Sequence, residues 1–264
     1  MSLDSPQLKV AMARRILHRA GLDPNDMSGQ VTLRADDGRS YWTSPMETFD
    51  VTVPGSVVRL LFDVGPVEAG VAEDGRIALD AGGPVPASTA SGWIGAIYQN
   101  RPDVEAVIHT HAPYIGAVAT TGRVVELYNN RSVIFHGDQG FYDDDGTATD
   151  SRDGIVGALG RVNVLIMRNH GAVVVGETLE LATMRAVLLE EAARFQVHAQ
   201  SIGGTPFPDS DAVVGRRVAH VGNLARLWDS HVRRVMRTDP DLFAAMTLEP
   251  PDGPVAQERL SSGR

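Results

Sequence analysis

His109-Thr110-His111 closes the apolar run Val104–Thr110, which reads as a buried strand. Residues i and i+2 of a strand project from the same face, so these two imidazoles can meet one ion. Taken alone, the same pair more often means one hydrogen-bonded core histidine and a second without a role. A third imidazole shifts the balance. His170, in Arg168-Asn169-His170-Gly171, again follows a buried run (Val164–Arg168), and the glycine after it permits a sharp turn. Strand ends and their loops are where α/β proteins carry functional groups. Three neutral imidazoles there leave coordination positions open for water or substrate, the arrangement of catalytic rather than structural sites. The expected cofactor is one divalent ion per subunit: Zn, Mn or Fe(II). His18, His198 and His220 fall within predicted helices and are read as structural or surface residues.

Any metal must use histidine and carboxylate, because the 264 residues include no cysteine. That absence removes disulfides, thiolate zinc sites, iron–sulfur clusters and cysteine nucleophiles together. A formal charge of −9 disfavours broad attachment to nucleic acid or an anionic membrane. The late cationic cluster Arg226, Arg233, Arg234 and Arg237 is read as a solvated face or subunit contact. No apolar run approaches the roughly 20 residues needed to span a bilayer, and the first residues lack a signal core, so a soluble, cytoplasmic chain is expected.

The elements that must carry the histidines follow from local pattern. Ser5-Pro6 opens a helix that closes at Gly21. Strands are predicted at Gln30–Arg34, Ser40–Thr43 and Val57–Phe62, with a hairpin formed by Val64–Ala72 and Gly75–Ala78. A helix over Ser88–Asn100, the strand Val104–Thr110 and a short helix from Pro113 to Thr120 come next. Strands are expected at Val124–Leu127 and Val133–Phe135, then a helix at Ser151–Leu159 and strands at Val164–Arg168 and Ala172–Val175. Thr178 caps a long helix, one further helix covers about Asp211–Met236, and Pro250–Arg264 reads as a flexible tail. With no repeat and no linker, residues 1–249 form one α/β domain, a central largely antiparallel sheet covered by helices.

These residues resemble a known family. The stretch Arg101-Pro102-Asp103-Val104 through His109-Thr110-His111-Ala112-Pro113-Tyr114, then Asn169-His170-Gly171 beginning 58 residues after His111, is similar to the class II aldolase/adducin superfamily. Gly29-Gln30-Val31-Thr32-Leu33-Arg34 resembles its substrate-anion loop, and Tyr41–Pro45 loosely resembles a second phosphate-gripping segment. The resemblance implies an α/β/α sandwich, a divalent metal on His109, His111 and His170, and a homotetramer with active sites between subunits. The departures limit the activity. The family's acid/base glutamate, 19 residues before the first metal histidine, falls on Ala90, whose methyl cannot move a proton. Gln30 replaces an asparagine of the anion loop, and Ser44-Pro45 replaces a Thr-Gly pair with a proline that has no N–H.

Tyr128–Asp144 looks instead like the adducin-like microbial branch that lacks the glutamate. Within it His136, Arg131 and Tyr142 could reach a substrate carboxylate or phenolate, with His136 and Tyr142 the catalytic candidates; a polar loop at a subunit interface fits the same residues. Arg34, Ser44, Ser88 and Thr89 are expected to cradle a small-molecule carboxylate, Arg34 through its bidentate fork. Trp93, Tyr114, Trp228 and His231 could add an aromatic wall. The expected function is a metal-dependent lyase that decarboxylates or cleaves a non-phosphorylated aryl or 2-oxo/hydroxy acid. The alternative is a three-histidine non-haem Fe(II) oxygenase that oxidatively decarboxylates an aryl-pyruvate, as the resemblance to family members in antibiotic pathways implies. A non-catalytic adducin-like assembly module is the third reading, disfavoured by the retained histidines.

Overall fold

The structure is a computed structural model and describes residues 4–23, 27–63, 76–79, 83–86, 88, 90–143 and 151–246. Its first helix, α1 (Pro6–Arg19), has proline in the first turn and is capped by Ser5, whose hydroxyl accepts the Leu8 N–H at 3.3 Å. The chain continues through β1 (Gln30–Arg34), β2 (Ser40–Thr43), β3 (Val58–Leu61), β4 (Arg76–Leu79) and β5 (Gly83–Pro86). Next come α2 (Ser91–Asn100), β6 (Ala106–Thr110), α3 (Pro113–Ala119), β7 (Gln139–Tyr142) and α4 (Arg152–Leu159). The last elements are β8 (Val164–Met167), β9 (Gly171–Gly176), α5 (Leu179–Ser201), α6 (Asp211–Val221) and α7 (Leu224–Thr238).

Seven strands form one sheet in the order β3-β2-β1-β6-β9-β8-β7, antiparallel at every step except the parallel β7–β8 pair. Every residue of β6, β8 and β9 is buried, because helices cover both faces of the centre. On one face α1, α3, α5 and α7 pack on Ala106, Ile108, Ile166 and Val174. On the other, α2 and α4 pack on Val107, Leu165, Val173 and Val175. This is the α/β/α layering expected, and β4 and β5 form a separate two-stranded sheet.

Several local expectations need correction. Residues 124–127 form no strand, and Ser132–Phe135 is a short 3-10 helix. A three-residue apolar run does not choose between helix and strand. Asn129 decides, its side-chain oxygen accepting the N–H groups of Arg131 and Ser132 at 3.0 and 2.9 Å and winding the chain into a turn. The edge strand is Gln139–Tyr142, which carries a glycine and is only half-buried along its length. Strand β4 pairs with β5 rather than with a strand before it; residues 64–72 lie outside the described residues. The single late helix is two, broken at Gly222-Asn223, where the Asn223 side chain donates to the Ala219 carbonyl at 2.9 Å. The expected tail, 250–264, also lies outside the described residues. Among the described residues, no helix is long and apolar enough to cross a membrane.

Candidate metal centre

Three strand ends meet where β6 finishes and β8 turns into β9. His109 lies within β6, opposite Gln30 of β1 and Val173 of β9, and its side chain falls on the α2 face with Val107. Its Nδ1 lies 3.1 Å from the Ala172 carbonyl, so Nδ1 carries the proton and Nε2 is the available ligand atom. His111 projects to the same face two residues on. Thr110 holds this end of the strand, its hydroxyl donating to the Leu22 carbonyl at 2.8 Å and accepting the Ala112 N–H at 3.2 Å.

His170 arrives from the β8–β9 turn. Its N–H donates to the Met167 carbonyl at 3.2 Å, and Asn169 takes the left-handed conformation that the reversal needs, with φ of 54°. Gly171 then passes so close to β6 that a Cβ there would sit 2.1 Å from the Thr110 carbonyl oxygen. That approach sets His170 over His111. The Nε2 atoms of His111 and His109 are 2.9 Å apart, as are those of His170 and His111, and the three ligand atoms lie within 4.8 Å of one another. Nitrogens bound to one tetrahedral ion at 2.0–2.1 Å stand about 3.3 Å apart, so the cluster has the dimensions a divalent ion requires. The three residues fit such an ion by donor chemistry and by spacing.

The surroundings are rigid. The Trp93 ring stands edge-on to His109 with centroids 5.1 Å apart. Gln30, across the sheet from His109, is buried; its carbonyl oxygen accepts from the Thr43 hydroxyl at 2.8 Å, and its amide nitrogen has no hydrogen-bond partner among the described residues. Arg14 braces this edge from α1. It donates to the Thr52 hydroxyl at 2.7 Å and the Glu47 carbonyl at 2.6 Å, with its guanidinium 4.0 Å above the Phe49 ring. Full burial lowers the Arg14 pKa to about 10.

The other expected site residues divide. Ala90 immediately precedes α2 and is buried, so position 90 supplies no carboxylate. Ser44 lies at the triad end of β2, its hydroxyl donating to the Pro45 carbonyl at 3.1 Å. Ser88 precedes α2 and accepts the Ala90 N–H at 3.2 Å; Thr89 lies outside the described residues. Tyr142 is on the triad's face of the sheet, its hydroxyl 3.4 Å from the Ser151 N–H.

Two candidates are not brought to the triad within the chain. Arg34 stands at the far end of β1, four residues from Gln30, and does not line the cluster. It donates to the carbonyls of Val104, Tyr98 and Arg101 at 2.9–3.0 Å and stacks over Tyr98 and Phe62, tying the end of α2 to the sheet. His136 follows the 3-10 turn that packs on α5 and α6, behind the sheet from the triad, with Nε2 3.0 Å from Asp209. Of the aromatic candidates, Trp93 reaches the triad, Trp228 packs in the α7 core, and Tyr114 and His231 line a separate cavity. Sequence reading missed the Gln30–Thr43 pair; its signal is Gln30 in register with the first metal-ligand candidate.

The model of the class II aldolase and adducin N-terminal domain matches residues 8–197. The chain is 29% identical over 255 residues to a 4-hydroxy-3-prenylphenylpyruvate oxygenase/4-hydroxy-3-prenylbenzoate synthase of Streptomyces roseochromogenus subsp. oscitans, covering 92% of this chain and 86% of that one. It is 28% identical over 250 residues to decarboxylase NovR of Streptomyces niveus, covering 91% and 86%. An L-fuculose 1-phosphate aldolase from Glaciozyma antarctica PI12 shares the fold at a TM-score of 0.78, with 19% identity over 90% of this chain and 91% of that one.

Proposed function

The chain belongs to the class II aldolase and adducin family, and from that premise we propose that it is a metal-dependent decarboxylase of a non-phosphorylated aryl 2-oxo or hydroxy acid. The observation that carries this reading is the donor set: three converging imidazoles, with a methyl group at position 90. His109, His111 and His170 would hold a divalent ion, which supplies Lewis acidity toward a chelating substrate oxygen. Aldol cleavage and epimerisation need a residue to handle a proton beside the carbonyl, and Ala90 cannot. Loss of CO2 needs no base: the electron pair of the breaking C–C bond stays with the substrate, which then takes up a proton from water. The Ala172 carbonyl keeps His109 in the tautomer that presents Nε2, and Trp93 closes one side of that ring against water.

A second reading, oxidative decarboxylation of an aryl-pyruvate at Fe(II), is favoured by the name of the first Streptomyces relative. Both readings use a three-histidine face with open positions. The assembly that accompanies them is a homotetramer with sites between subunits, measurable by light scattering. The test is anaerobic purification, metal analysis, and turnover of 4-hydroxyphenylpyruvate with and without O2. CO2 release without O2 supports the lyase; strict O2 uptake with bound iron supports the oxygenase. Efficient cleavage of fuculose 1-phosphate, with no CO2 from any aryl 2-oxo acid, overturns both.

A further inference from the structure

Behind the sheet from the triad, the end of α1, the start of α3 and the helices α5, α6 and α7 line an open cavity of about 820 Å³. Val187, Leu188, Leu224 and Leu227 give it an apolar wall. Four arginines reach it, and they are of two kinds. Arg19 pairs with Asp239, and Arg131 pairs with Glu191. The guanidiniums of Arg194 and Arg234 make no hydrogen bond or ion pair with any described residue.

The nearby acids are already engaged. Glu191 faces Arg131, and Glu190 accepts the N–H groups of Tyr114 and Ile115 at 3.0 and 2.9 Å, one on each oxygen. His220 is held by Asn130 at 2.9 Å. His231 is kept below the ordinary imidazole value by burial and by Arg234, so near pH 7 it is neutral and offers a hydrogen bond without adding charge. Arg194 acts on the Glu190 carboxylate through space, so the four arginines face two lining glutamates, and the cavity wall is net positive on a chain of net charge −9.

We propose that this cavity is a binding site, separate from the metal centre, for a small anion with an apolar body: an aryl or alkyl carboxylate gripped by Arg194 and Arg234. The guanidinium fork matches a carboxylate, and the leucine and valine wall matches a hydrocarbon body. A cavity of this size holds a ligand of that class. Nothing in this site depends on the triad's chemistry, so it stands whichever reaction the metal centre performs.

The test is calorimetric titration of the full chain with 4-phenylbutyrate and its uncharged amide, each in the presence of a chelator so that no metal can coordinate the acid. The expected result is saturable one-site binding of the acid, with the amide at least tenfold weaker. Arg194→Gln and Arg234→Gln each weaken the acid by about tenfold, the loss of one charge-assisted hydrogen-bonded contact. Their melting temperatures stay at the parent value because both side chains are exposed. Equal binding of acid and amide, unchanged affinity in both variants, or no binding at all would each overturn the proposal.

Discussion

At the residue scale, the same side-chain chemistry takes opposite roles according to which end of a strand bears it. Gln30 and Arg34 share one face of β1, yet Gln30 sits opposite His109 while Arg34 lies roughly 13 Å along the strand. Arg34 donates to three backbone carbonyls, of which that of Arg101 also accepts the Val104 N–H at 3.0 Å. Arg34→Ala is therefore expected to lower stability by about 2–4 kcal/mol while leaving metal affinity and KM unchanged. Chemical denaturation and metal titration on one preparation check this; a raised KM with unchanged stability would return Arg34 to the substrate. His170 behaves in the opposite sense. His170→Ala removes one of three converging ligands from a half-buried turn position. Bound metal, measured by elemental analysis, should fall to background while the circular dichroism spectrum is retained. Full metal occupancy in that variant would falsify the triad.

At the element scale, the centre depends on how closely β9 runs beside β6. Gly171 faces the Thr110 carbonyl with no room for a methyl, a backbone contact that cannot move aside as a flexible side chain would. Gly171→Ala should push the β8–β9 turn away from β6, carry His170 with it, and cost about 2–4 kcal/mol of stability together with most of the metal affinity. A variant with parent melting temperature and metal content would show that the turn is not what sets His170. Sequence pattern revealed the central elements and blurred the edges for a physical reason. The runs Val104–Thr110 and Val164–Met167 are buried on both faces, so their apolar character survives any local ambiguity. Strand β7 is a half-buried edge, and the turn that replaces a strand at Ser132–Phe135 is set by one asparagine side chain. The three histidines were legible because each ends an apolar run. Arg34 suggested an anion by its type, and only the tertiary fold shows the three carbonyls that it meets.

At the scale of the whole molecule, the fold does not depend on an ion held by the triad. A small zinc domain is unfolded without metal because its ligands are most of its core. Here the core is two apolar clusters on either side of a seven-stranded sheet, and the triad sits at the sheet's end, with His111 and His170 only half-buried. Removing metal should leave a folded protein with a single cooperative transition. The melting temperature still falls, because a ligand that binds only the native state stabilises it by RT ln(1 + [L]/Kd), about 2.7 kcal/mol at a hundredfold excess over Kd. For a domain of this size that is a drop of about 5–10 °C. Differential scanning calorimetry before and after chelation, followed by addition of Zn, Mn or Fe(II), measures it, and the ion that restores the largest shift has the highest affinity for the native site under those conditions. Collapse of the transition on chelation would mean that the metal holds the sheet together, and an unchanged melting temperature with proven metal loss would mean that the three imidazoles bind it no better in the folded chain than in the unfolded one.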